Sequence, residues 1–181
     1  MILDQAICKL SPLRYATCSN YERLCRWVYG PSLPANESTN HTIYTPRLDT
    51  LKKGRNFTIG YLDGTSASGV VYADSVTVGG LTAPSQAVEV ATSVSSQLVA
   101  RPHSGFIGFA FPSNNNCEPT KCKTWFRSIE SLLPRKQKLF TSTLKHQAPG
   151  TYDFGYIDQS KYTGTLVYKV QGISNWPCYE A

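Results

Sequence analysis

The sequence predicts an all-β fold carrying one or two short helices. Composition is the first reason. Only 17% of the 181 residues are charged, and Ser, Thr, Tyr, Val and Gly are plentiful, which suits an all-β domain better than a helical or disordered chain. The second reason is pattern. From Pro31 onward, short apolar runs alternate with turn residues, whereas helical spacing is convincing in one stretch alone. A chain of this length sets one domain as the default and allows a sizeable core.

Residues 1–26 show no clear period and form an unassigned N-terminal segment. Strands are then expected at His41–Thr45, Asn56–Leu62, Ser68–Val78, Gln86–Val94, Gly105–Phe111, Tyr152–Ile157 and Gly164–Val170. Asn56–Leu62 and Ser68–Val78 read as a hairpin turning over Asp63-Gly64-Thr65, because Gly accepts the positive φ that tight turns need. Val78-Gly79-Gly80-Leu81 is a second turn signal. Lys123–Leu133 reads as a helix. Trp125, Phe126, Ile129, Leu132 and Leu133 recur at helical spacing, and Pro134 stops it. A second short helix is expected at Leu139–Lys145, with Phe140 and Leu144 on one face.

Several functional classes are disfavoured. Net charge is +6, yet the basic residues are scattered and no nucleic-acid motif accompanies them, so nucleic acid is not an expected partner. No apolar run reaches membrane-spanning length, and no membrane partner is expected. Met1-Ile2-Leu3-Asp4-Gln5 lacks a basic region followed by an apolar stretch, so no signal peptide is read from it. His41, His103 and His146 stand apart without metal-ligand spacing, and no cofactor is expected. Six cysteines, Cys8, Cys18, Cys25, Cys117, Cys122 and Cys178, leave the pairing open, though Cys117 and Cys122 are close enough to close a small loop. Three Asn-X-Ser/Thr sequons begin at Asn36, Asn40 and Asn56.

The run Tyr61-Leu62-Asp63-Gly64-Thr65 to Leu81 resembles the flap of the pepsin-like aspartic peptidases, in their fungal, penicillopepsin-like branch. Further motifs follow in family order: Trp27-Val28-Tyr29 with Leu33-Pro34-Ala35-Asn36, His41-Thr42-Ile43-Tyr44-Thr45-Pro46, Gln86-Ala87-Val88, Gly105-Phe106-Ile107-Gly108-Phe109-Ala110-Phe111, and Pro149-Gly150-Thr151-Tyr152-Asp153-Phe154-Gly155. The resemblance covers residues 27–181, as one N-terminal lobe of a two-lobed fold without the C-terminal lobe. It implies an extracellular acid endopeptidase acting on polypeptides, with the second lobe or a further copy of the chain as partner. A lobe standing alone would then expose apolar surface around Trp176 and Phe106–Phe111.

Family chemistry needs two Asp-Thr-Gly loops, one ionised carboxylate activating a water and one protonated carboxyl polarising the scissile carbonyl. The sequence contains no such triplet. Counted back from Trp27, the first motif falls on Asn20-Tyr21-Glu22, and Asn20 cannot ionise to act as a base. Asp49-Thr50-Leu51 lacks the glycine. No catalytic residue is therefore assigned, and the chain by itself is expected to be inactive. Two alternatives are a pseudo-peptidase that binds peptides or proteins, and a non-functional truncated gene product. The residues that the resemblance assigns to substrate binding are Tyr61, Asp63, Gly64 and Thr65, with Trp27 as hydrogen-bond partner of Tyr61. Leu62 departs from the glycine usual at its position, and its bulk restricts the flap. Arg101 and His103 read as a solvated turn.

Overall fold

The computed structural model describes residues 27–33, 41–101, 104–109, 111–146 and 148–166. Outside them lie the 1–26 segment with Asn20, Cys178, His103, Trp176, the sequon asparagines Asn36 and Asn40, and the end of the strand expected at Gly164–Val170. The described residues divide into two units, one running to Ile129 and the other starting at Glu130.

In the first unit, β1 (Trp27–Tyr29), β2 (Leu51–Gly60), β3 (Ser66–Val78), β4 (Leu81–Val94), β5 (Gly105–Phe106) and β6 (Cys117–Glu118) form one sheet in the order β5-β1-β4-β3-β2-β6. β1 runs parallel to β4, and the other pairings are antiparallel. Both expected turns form. Gly64 takes φ +81° between β2 and β3, and Gly79 and Gly80 take φ +56° and +77° between β3 and β4. Strand periodicity then sorts the side chains of β2, with Phe57 and Ile59 buried and Asn56 and Thr58 exposed. Phe57 and Ile59 join Trp27, Tyr29, Leu33, Ala91 and Leu98 in the core.

Polar anchors hold the margins of this sheet. Asn115 donates from Nδ2 to the buried Glu89 carboxylate on β4 at 3.0 Å, while its Oδ1 accepts from the backbone N–H of Cys117 and of Cys122 at 2.8 and 3.1 Å. Those two cysteines form the small disulfide loop that their spacing allows. Gln86 on β4 donates to the Lys123 carbonyl at 2.9 Å and accepts from the Ser128 hydroxyl at 2.7 Å. It thereby fixes helix α2 (Trp125–Ile129), whose Trp125 indole donates to the Val76 carbonyl at 3.0 Å. Buried polar groups of this kind need such partners to offset lost hydration.

Several expectations are corrected. The helix expected over Lys123–Leu133 is α-helical only at Trp125–Ile129 and tightens to a 3-10 turn at Glu130–Leu132. Pro134 restricts the residue before it, so the last turn cannot continue as α-helix. The helix expected at Leu139–Lys145 is instead β7 (Phe140–Lys145), which pairs with β8 (Ala148–Phe154) in the second unit. The seven residues of Leu139–Lys145 are too few to sustain a helix without help. Pairing sets Phe140 against Phe154, with ring centroids 6.2 Å apart, and Thr141 and Thr143 favour the strand. Among the described residues of Gly105–Phe111, only Gly105–Phe106 forms ladder pairs, with β1. Phe106 is half-buried and Phe109 packs edge-on against Trp125, so both rings are partly covered. His41–Thr45 carries no ladder, although the Tyr44 N–H bonds the Tyr29 carbonyl at 2.9 Å.

Candidate functional site

The hairpin of β2 and β3 ends in a five-residue loop, closed by hydrogen bonds from Tyr61 N–H to the Thr65 carbonyl at 2.8 Å and from Gly64 N–H to the Tyr61 carbonyl at 3.0 Å. Asp63 completes it. One of its carboxylate oxygens accepts from both the Thr65 hydroxyl at 2.6 Å and the Thr65 N–H at 3.0 Å, an Asx-type turn that stiffens the tip. Leu62 is 76% exposed at that tip. Its bulk meets water rather than the loop.

Below the tip lies an aromatic wall. Trp27 is 1% exposed, and its indole N–H donates to the Tyr61 hydroxyl at 2.9 Å. Phe106 stands beside both, with centroids 5.4 Å from Trp27 and 6.0 Å from Tyr61. Behind Trp27, Tyr29 donates to the Leu98 carbonyl at 3.2 Å and stacks on His41 at 4.1 Å. Leu98 belongs to helix α1 (Ser96–Val99), a single turn that the sequence pattern did not reveal. His41 bonds the Val99 carbonyl at 2.9 Å. His41, read from sequence as standing apart, is thus part of one packed support with Tyr29.

The α1 segment also holds the hairpin. Ser66 N–H donates to the Ser95 hydroxyl at 3.0 Å, and Ser95 N–H donates to the Ser66 carbonyl at 2.9 Å. Just past α1, Arg101 pairs with the second oxygen of Asp63 at 3.0 Å. The reading of Arg101 as a solvated turn residue is therefore corrected, since it is the ionic partner of the hairpin tip. No sequence signal links positions 38 residues apart. The Thr65 hydroxyl and N–H, and then Arg101, hold the Asp63 carboxyl below the usual carboxylate range.

The site residues Trp27, Tyr61, Asp63, Gly64 and Thr65 therefore share one neighbourhood. Asn20 lies outside the described residues. Asp49 sits on the surface in a 3-10 turn and pairs with Arg47 at 2.8 Å. Among the described residues, no group of three or more His, Cys, Asp or Glu is placed to share a metal ion.

Comparison with known proteins shows the family. The family model for eukaryotic aspartyl protease matches residues 25–176. The chain belongs to that family. Aspergillopepsin-1 of Emericella nidulans is 50% identical over 144 residues, covering 78% of this chain and 37% of that protein. Penicillopepsin-1 of Penicillium janthinellum is 45% identical over 151 residues, covering 82% of this chain and 46% of that protein. The chain spans less than half the length of these curated relatives. In fold, it is similar to the aspartic proteinase of Irpex lacteus, with a TM-score of 0.61 over 78% of this chain and 41% of that one, at 23% identity. This member of the family thus pairs a pepsin-like β fold with a sequence that contains no Asp-Thr-Gly triplet.

Proposed function

We propose that this chain is the flap-bearing part of a fungal-type, extracellular acid endopeptidase architecture, that it engages extended polypeptide at the hairpin of β2 and β3, and that by itself it does not hydrolyse peptide bonds. The observation that carries the reading is the Trp27–Tyr61 hydrogen bond. It seats the hairpin tip over an aromatic wall, in a sequence whose relatives are aspergillopepsins and penicillopepsins. A peptide lying along the tip meets backbone amides and carbonyls, the exposed Leu62 side chain and the Asp63 carboxylate.

Two carboxyl groups of unlike protonation are needed for the family's hydrolysis, since a base and an acid act together on one water. In this sequence neither Asp-Thr-Gly loop is present, and removing an acid–base group costs orders of magnitude in rate. A second lobe, or a second copy of the chain, is the expected partner across the peptide. The test has two arms. Purified chain is incubated with denatured haemoglobin at acid pH, where no pepstatin-sensitive turnover is expected; such turnover overturns the inactivity. Peptide binding is then measured by calorimetry with Asp63→Ala, which is expected to weaken basic peptides selectively. Equal binding of acidic and basic peptides by both proteins overturns the hairpin as the binding surface.

A further inference from the structure

We infer that Asn56 is a site of N-linked glycosylation, taking an oligosaccharide on the outer face of β2. Of the three sequons, Asn56-Phe57-Thr58 is the one that lies within the described residues. Strand periodicity decides its presentation. Residues i and i+2 of a strand share a face, and here Phe57 enters the core while Asn56 and Thr58 both lie exposed on the opposite side. The acceptor amide and the hydroxyl that the sequon requires therefore stand together toward solvent. Backbone pairing fixes them, because Asn56 is opposite Val70 of β3 and Glu118 of β6.

Room for a sugar is present. Asn56 and Thr58 line an open polar groove of about 450 Å³ together with Ser113, Asn114, Glu118 and Lys121. These side chains offer amide, hydroxyl and charged groups, matched to sugar hydroxyls rather than to an apolar ligand. The groove lies at the sheet's edge, where β6 covers only Asn56 and Phe57 of the ten-residue β2. A bulky hydrophilic group there solubilises the surface and opposes strand-on-strand association. The reaction is a transfer from a lipid diphosphate-linked oligosaccharide, catalysed by the host's transferase. Asn56 Nδ2 attacks the anomeric carbon, the Nδ2–C1 bond forms, and the C1–O bond breaks. The lipid diphosphate leaves with the electron pair, and Nδ2 gives up one proton.

This inference rests on the extracellular reading above, and an added leader separates the two. The full chain carrying N36Q and N40Q is translated behind a heterologous secretion leader with microsomes, and only protease-protected chains are scored. One glycan-sized mass increment, removed by peptide N-glycosidase and mapped to Asn56, is expected. Thr58→Ala is expected to abolish it and Thr58→Ser to retain it. Because the increment is read during translation, a variant that fails to fold still reports. Protected chains unmodified at Asn56, or an increment that survives Thr58→Ala, overturn the proposal.

Discussion

Replacing Tyr61 by Phe deletes one hydroxyl and leaves the ring that packs beside Phe106 at 6.0 Å. The atom lost is the acceptor for the Trp27 indole, bonded at 2.9 Å. Trp27 is almost fully buried. A buried donor left wholly unsatisfied costs about 1–3 kcal/mol, whereas an ordinary hydrogen bond contributes about 0.5–1.5 kcal/mol net. Tyr61 is only half-buried, so water enters where its hydroxyl stood and the lower range applies. A loss of that size lowers the melting temperature by roughly 1–6 °C for a domain of this length. The sharper readout is local. Three indole N–H signals are expected from Trp27, Trp125 and Trp176 in a ¹H–¹⁵N spectrum. The Trp27 signal moves in Tyr61→Phe, while that of Trp125, bonded to the Val76 carbonyl, stays in place as an internal control. An unmoved Trp27 signal with unchanged stability refutes the bond and, with it, the seating of the hairpin.

Arg101→Gln removes the ionic partner of Asp63, whose pair is 42% and 48% exposed, so stability changes by no more than about 1 kcal/mol. Amide exchange at 61–65 nevertheless quickens, and no change there argues against the tether. Because the folded Asp63 carboxyl is held below the usual range, its contribution is complete above the ordinary Asp value of about 3.9 and is lost as pH falls through the depressed value. A carboxyl titration by NMR is expected to place Asp63 below the ordinary Asp value and to raise it in Arg101→Gln. Gly69→Ala drives a Cβ into the Val90 carbonyl across β3 and β4, and a urea titration is expected to show a loss of about 1–3 kcal/mol or more; a neutral result rejects that close approach. Removing the Cys117–Cys122 link, which closes a loop of sequence separation 5, is expected to cost about 2 kcal/mol by the chain-entropy argument, and an unchanged denaturation midpoint counts against it.

Sequence alone determined what local chemistry controls. The Asp63-Gly64 and Gly79-Gly80 turns follow from residues that tolerate positive φ, and the alternation around Phe57 and Ile59 follows from the two-residue strand period. The order of family motifs from Trp27 onward placed Tyr61 beside Trp27, as the structure does at 2.9 Å. The absence of an Asp-Thr-Gly triplet is likewise a property of the sequence. Tertiary structure decided the rest. Leu139–Lys145 carries helical and strand signals of similar weight, and pairing with β8 selects the strand. Arg101 looked solvated because its partner Asp63 is distant in sequence and adjacent only after β2, β3 and β4 fold. Glu89, an acidic side chain buried within the sheet, accepts a hydrogen bond from Asn115, which arrives from another loop. Turn and strand propensities act within a few residues, whereas ion pairs and buried polar contacts form between segments that only the folded sheet brings together.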